Sequence, residues 1–171
     1  MSLSEDSNNS GLSFLLDCEL VLIGVEEMHL TKRTDYGIRV LMYCALNQDC
    51  PNRIAQIAEA CCISEFFLFK ILQPLGKAGI IETVRGRNGG VRLCRPADQI
   101  TVLDVVKATE ESFYMAECFG KHKISCPLVG NCNLSSVFQK ALNAFFDVLK
   151  RYSIECLVQD RSLYKKLLKA S

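Results

Sequence analysis

Histidine is scarce in this chain: His29 and His122 are the two in 171 residues. That leaves little for the nucleophile–base pairs of hydrolases. A Walker glycine–lysine loop and a glycine run set between a strand and a helix are also missing, so nucleotide-driven and dinucleotide-dependent chemistry is not signalled. No enzyme is expected. The first 27 residues contain no Lys or Arg but six acids (Glu5, Asp6, Asp17, Glu19, Glu26 and Glu27), the reverse of a basic secretory n-region. The apolar stretch 20–25 is far too short to cross a bilayer. No internal repeat or low-complexity tract interrupts the chain. A cytoplasmic, reducing location is expected, with no membrane partner and no small-molecule substrate.

What is present is unevenly distributed. Net charge is only +1, yet 28–95 holds ten Lys/Arg against five Asp/Glu, an excess of +5, whereas 1–27 carries −6 and 96–171 carries +2. The excess peaks at Arg85, Arg87, Arg92 and Arg95, with no acid between them. Cations concentrated in one region suit a polyanionic partner better than overall charge does. The ten cysteines fall below the density of a secreted disulfide scaffold. Cys44, Cys61 and Cys62 read as small apolar residues, because a free Cys packs like a hydrophobe.

The composition changes at Met28, which is expected to be the natural start, with 1–27 an unpatterned extension that adds little to function. From there "MHLTKRTDYGIRVLMYCAL" gives a polar lead and an amphipathic helix, with Gly37, Val40, Leu41 and Cys44 on one face. After Pro51 and Asn52, Ile54, Ile57 and Ala58 mark a short second helix. Ser64 is a good N-cap for a third, with Glu65 in its first turn and Leu68, Ile71, Leu72 and Leu75 as its apolar stripe. Pro74 is expected to kink or loosen its last turn, and Gly79 to end it. "IIETVRGRNGGVRL" then reads as two short strands around a turn, with Arg85, Arg87 and Asn88 near the tip. Helix, short helix, helix and basic hairpin is the order of a winged helix-turn-helix.

A further helix follows Pro96, capped by Thr101 and burying Val102, Val105 and Val106. Beyond the cysteine-rich loop, "LSSVFQKALNAFFDVLKRY" carries Phe138, Ala141, Phe145, Val148 and Tyr152 at alternating steps of three and four, a coiled-coil-like seam that predicts dimerisation. The fold class is therefore mainly α with a small β-hairpin wing. The layout is a winged helix-turn-helix domain at 28–97, a connecting helix at 98–111, a cysteine-rich loop at 112–133, and a dimerisation helix with C-terminal tail at 134–171.

In a helix-turn-helix the second helix enters the major groove, and its N-terminal residues face base edges. Glu65, Phe66, Phe69 and Lys70 would occupy that surface. Phe66, Phe67 and Phe69 cannot all join the stripe headed by Leu68, so at least one is left outside, where it can touch thymine methyl groups or pack on sugar edges. Lys70 can reach guanine or phosphate, Glu65 can accept from cytosine, and the arginines of the hairpin can reach phosphate or the minor groove.

"CFGKHKISCPLVGNC" places Cys118, Cys126 and Cys132 in fifteen residues with His122 among them. The C-x2-C knuckle that pre-forms half of a structural zinc site is absent, and His122 stands between Lys121 and Lys123. Widely spaced thiols on a glycine-containing loop favour an iron–sulfur cluster. A zinc site, a disulfide switch and plain packing stay open on these residues alone.

Several phrases together carry a resemblance: "LTKRTDYGIRVLMY", "SEFFLFKILQPLGKAGIIETVRGRNGGVRL", "ITVLDVVKATE", "AECF", "CPLVGNC" and "KALNAFFDVL". Over about 28–160 the chain resembles the winged-helix, cluster-binding transcription regulators that include IscR, NsrR and RirA. The stretch 64–93 and "KALNAFF" look most like the RirA-type iron-responsive branch. The resemblance implies a homodimer on a palindromic double-stranded DNA operator. It also implies a cluster held by Cys118, Cys126 and Cys132, a wing arginine at Arg85, and recognition-helix contacts from 65–70. The cluster expected is 4Fe-4S, with a 2Fe-2S form on degradation. Where IscR-type members have a histidine three residues past the last cysteine, this chain has Ser135. NsrR-type members use an aspartate from the partner's first helix instead, and the matching residue is Asp35. A carboxylate is a hard ligand that exchanges readily; Asp35 can equally be a first-turn residue favoured by the helix dipole.

The expected function is thus an iron-responsive repressor of iron-uptake and iron-homeostasis genes. A nitric oxide-sensing repressor is the alternative within the class, and a zinc-stapled protein-binding adaptor is the alternative outside it.

Overall fold

A computed structural model describes residues 29–87, 89–116, 119, 126–128 and 131–168. The extension 1–27, Asn88, Cys118 and His122 lie outside the described residues.

Helix α1 (Lys32–Leu46) buries Gly37, Val40, Leu41 and Cys44 as its periodicity predicts, together with Thr34. Short α2 (Ile54–Ala60) buries Ile57 and Ala58. It ends with the amides of Cys62 and Ile63 donating back to the carbonyls of Glu59 and Ala58, the paired closure of a Schellman motif. Cys62 sits at φ +54°, a left-handed conformation uncommon for a residue with a side chain. Contrary to expectation, its side chain is exposed, whereas Cys44 and Cys61 are buried. A residue forced into the αL position of a tight turn projects outward, away from the apolar faces it joins.

Helix α3 (Glu65–Lys77) begins where Ser64 Oγ accepts from the Phe67 amide at 3.2 Å. The helix runs through Pro74 to Lys77, because the Pro74 carbonyl still accepts from the Ala78 amide at 3.0 Å. The same two-bond closure follows, with Gly79 at φ +65° and its amide bonded to Gly76 while Ile80 reaches back to Leu75. Strands β1 (Ile81–Val84) and β2 (Gly90–Leu93) pair antiparallel, with Glu82 opposite Arg92. A bridge from Asn52 to Val91 adds a short third strand position on the other edge of β2, closed by amide–carbonyl bonds of 2.8 Å in both directions. The approach is so close that a Cβ on Gly90 would stand 2.3 Å from the Asn52 carbonyl oxygen. Glycine is required there.

Helix α4 (Val102–Thr109) has the expected Thr101 cap, completed reciprocally by Asp104. It is a layer of the core and not a mere connector, since Val105 and Val106 are fully buried. Helix α5 (Asn133–Lys150) has no buried residue. It ends before Tyr152, so the last position of the expected seam falls outside the helix, where the Tyr152 carbonyl instead accepts from the Val102 amide at 2.8 Å. The chain then returns to the first domain. Helix α6 (Ile154–Leu157) sends Ile154 into the core, and Val158 beyond it is equally buried. Helix α7 (Arg161–Leu167) begins with Arg161 donating to the Ala45 carbonyl near the end of α1. The region after α5 is therefore part of the packed unit.

Candidate nucleic-acid interface and thiol loop

The three phenylalanines of α3 divide as their helical positions demand. Phe67 turns inward against Tyr36, ring centroids 5.8 Å apart and perpendicular. Phe66 and Phe69 stay outside, 71% and 55% exposed. Lys70 belongs to the same exposed face, its Nζ 4.5 Å from the Phe66 ring centroid. Glu65 is exposed beside them. All four residues expected at the groove surface thus share the open side of α3, because Leu68, Ile71, Leu72 and Leu75 take the other side into the core.

The four clustered arginines separate into two kinds. Arg92 pairs with Glu82 across the hairpin and Arg95 pairs with Asp104 at the start of α4. Both are already committed. Arg85 and Arg87 are exposed at the turn and make no ion pair among the described residues. The hairpin tip, Lys70 and the exposed Lys77 are therefore among the basic groups available to a polyanion. The residues between Arg87 and Gly89 include Asn88, which is not described.

The loop thiols differ from those of the core. Burial pushes the Cys44 thiol up to about 12. It pushes Cys61 to about 11, with Arg39 opposing the shift and Cys62 adding to it. Burial thus disfavours their thiolate forms, the forms that bind metal. Cys126 and Cys132 are half-buried and free, and Cys132 is the N-cap residue of α5. Among the described residues no group of three His, Cys, Asp or Glu is gathered as a metal site; the third loop thiol, Cys118, is not among them. The donor set still fits an iron–sulfur cluster, since thiolates are the ligands iron–sulfur chemistry uses. Asp35 stands in the first turn of α1, where its carboxylate accepts from Arg39 at 2.8 Å with both side chains half-exposed.

One arrangement went unforeseen in the sequence. The Glu110 carboxylate, at the end of α4, accepts from the Thr31 amide, the Thr31 hydroxyl and the Thr34 hydroxyl. Buried Thr34 also meets Thr109 at 2.6 Å, and Arg33 reaches the Thr109 carbonyl and Glu111. Burial raises the Glu110 pKa, but the hydrogen bonds from Thr34 and Thr31 and the nearby Arg33 charge outweigh it, so its pKa is lowered. This knot joins the start of α1 to the chain just before the thiol loop. A signal was available: Thr34 extends the apolar stripe of Gly37, Val40 and Leu41, and a hydroxyl on such a face must find a partner.

Beyond the knot, Phe113 packs edge-on against Phe146 of α5 at 5.0 Å, and Lys107 Nζ lies 5.5 Å from the same ring. These contacts hold α5 to α4.

The profile of the Rrf2 family, described as "Iron-dependent Transcriptional regulator", matches residues 30–160, from α1 through the recognition helix, the hairpin and all three loop cysteines. The chain belongs to the Rrf2 family. It is 60% identical over 141 residues to Protein aau3 of Rhizobium meliloti, covering 82% of this chain and 92% of that protein. It is 43% identical over 143 residues to the HTH-type transcriptional regulator NsrR of Geobacillus kaustophilus, covering 83% and 97%. Among solved structures, IscR of T. potens superposes with a TM-score of 0.61 at 24% identity, over 80% of this chain and 90% of that one, which supports the winged-helix fold. Rrf2 members are transcription regulators that bind DNA, not enzymes. Among the described residues no helix is long and apolar enough to cross a membrane.

Proposed function

We propose that this Rrf2 regulator is an iron-responsive repressor. It acts in the cytoplasm as a homodimer on palindromic operators of iron-uptake and iron-homeostasis genes. The observation that carries the reading is the joint occurrence, within the family match at 30–160, of an open recognition surface and a three-thiol loop. The surface consists of Glu65, Phe66, Phe69 and Lys70 on α3, and Arg85, Arg87 and Asn88 at the wing. Cys118, Cys126 and Cys132 would hold the iron–sulfur cluster, with Asp35 of the partner subunit as fourth ligand. When bound, a 4Fe-4S cluster supplies an iron centre whose occupancy follows iron supply, and a 2Fe-2S form is its degradation product. Asp35 would be a hard, readily exchanged ligand, which suits a sensor.

The remaining residues act by position. The 28–97 unit, completed by α4 within 98–111 and by α6, presents the recognition helix. The apolar face of α5 pairs two copies, which sets the spacing of two recognition helices against about one turn of DNA. The loop at 112–133 follows the knot at Glu110 along the chain and leads into α5.

A second reading, nitric oxide sensing, is favoured by the likeness to regulators named NsrR. Anaerobic purification tests both. The expected product is brown, with thiolate-to-iron charge-transfer absorption that disappears in Cys126→Ala. Release from DNA on iron chelation, and not on brief nitric oxide exposure, supports the iron-responsive reading; the opposite pattern supports the second. A colourless, zinc-containing protein that ignores DNA would return the adaptor reading.

A further inference from the structure

Two exposed aromatic rings on a helix that is otherwise sorted cleanly into polar and buried faces require an occupant. Phe66 and Phe69 are 71% and 55% exposed, while the third ring, Phe67, is satisfied against Tyr36. Leaving both rings in water is unfavourable, and aromatic side chains carry a large apolar area that contributes only when covered. What covers them is indicated by their surroundings. Lys70 holds its ammonium 4.5 Å from the Phe66 ring, and Lys77 further along α3 with Arg85 and Arg87 at the wing are exposed cations. A partner that is apolar at the rings and anionic around them is required. The major groove of DNA has that combination where thymine C5-methyl groups project between two phosphate backbones.

We propose that Phe66 and Phe69 read thymine methyl groups, so that each operator half-site presents thymines at two positions under the first turns of α3. The proposal rests on the DNA-binding reading above and adds to it the base chemistry being read. Three residues along a helix advance by about 4.5 Å, and successive bases on one strand by about 3.4 Å. Two rings at this spacing therefore address thymines on adjacent base steps. Lys70, held at the first ring, brings a cation to a phosphate or a guanine beside the methyl. The alternative use of the rings, packing on deoxyribose, depends on no base at all.

Deoxyuridine separates the two, because it removes the thymine methyl while leaving every hydrogen-bonding edge and phosphate in place. The full-length, cluster-loaded protein is first used to enrich binders from a pool of synthetic duplexes with a randomised core. The winning duplex is then remade with deoxyuridine at single thymines and at pairs. Wild type is expected to lose about fourfold in affinity per methyl removed at the contacted positions, the value of burying one such group, and about fifteenfold for both in one half-site. Phe66→Ala combined with Phe69→Ala removes rings that support no core, so the fold persists. That variant should bind the thymine and deoxyuridine duplexes equally. Arg85→Ala should weaken both duplexes alike and keep the wild-type preference for thymine. Equal wild-type binding of both duplexes overturns the proposal, as does a double variant that still prefers thymine. Should the double variant not fold, the wild-type comparison decides alone. If the pool yields no enriched duplex, the DNA-binding reading itself falls, an outcome distinct from enrichment without methyl dependence.

Discussion

Helices α1 and α5 are of similar length, yet they live in opposite circumstances. Helix α1 buries eight of its residues, Val40, Leu41 and Ala45 completely; α5 buries none, and Leu134, Val137 and Val148 on it are each at least half exposed. An isolated helix of this length is marginal in water, and most helix stability comes from packing an apolar face. The core around α1 is therefore stable within one chain, whereas α5 is joined to it by contacts such as those of Phe113 and Lys107 with Phe146. The difference teaches that one chain is a complete DNA-reading unit attached to an incomplete assembly unit. A second copy is the occupant proposed for the open face.

Core and arm should consequently respond differently to substitution. Ile71→Ala, at a fully buried position, is expected to destabilise the fold by about 2–5 kcal/mol, read as a lower denaturant midpoint at every protein concentration. Phe145→Glu should leave that midpoint of the core nearly unchanged but convert dimer to monomer, because pairing would bury an unpartnered carboxylate at a cost of several kcal/mol. Sedimentation that finds an intact Phe145→Glu dimer would remove α5 from the interface and with it the contrast.

Arg85→Ala sharpens the comparison from the DNA side. It removes an uncommitted cation from the reading unit, so operator affinity should fall and the salt slope should flatten by about one phosphate contact. Arg92→Ala, which loses a residue already paired with Glu82, should affect the slope much less; equal effects would show that the two are not distinguished by their ion pairs.

The smallest effect expected is a pH dependence at the joint between the regions. The Glu110 pKa is lowered in the folded state, so its contribution to stability is present above the ordinary carboxylate value of 4.5 and is lost as pH falls through the lower folded value. Glu110→Gln should lower stability at neutral pH, where the carboxylate contributes, and flatten its fall between the ordinary value of 4.5 and the lower folded value. An unchanged acid limb would mean that the bonds from Thr31 and Thr34 do not depend on the carboxylate charge.

The elements that local physics decides were legible in advance. The stripe of α3, its Ser64 cap, the closure at Gly79, the hairpin and the Thr101 cap each rest on residues within a few positions of one another. The open Phe66 and Phe69 were legible too, since the stripe headed by Leu68 leaves them no inward position. What escaped was set by distant partners. The return of Ile154 and Val158 to the core depends on a slot between α1 and the turn before α4, which no local periodicity announces. The knot at Glu110 joins residues nearly eighty positions apart. Cys62 looked like a small apolar residue and proved to be an exposed turn residue, because the turn's backbone and not the side chain decides its direction. At the thiol loop, Cys126 and Cys132 are free and half-buried; their proposed ligand role rests on the sequence.

The thiol loop is proposed to govern DNA binding by the winged-helix unit. The most direct test is operator affinity measured anaerobically while a chelator strips the cluster, beside the variant in which Cys118, Cys126 and Cys132 are all alanine. The predicted result is a fall of about 5- to 150-fold as the cluster is lost, the usual range of coupling between two sites, with the triple variant fixed at the weaker value. A triple variant that binds as tightly as the cluster-loaded wild type would contradict the account.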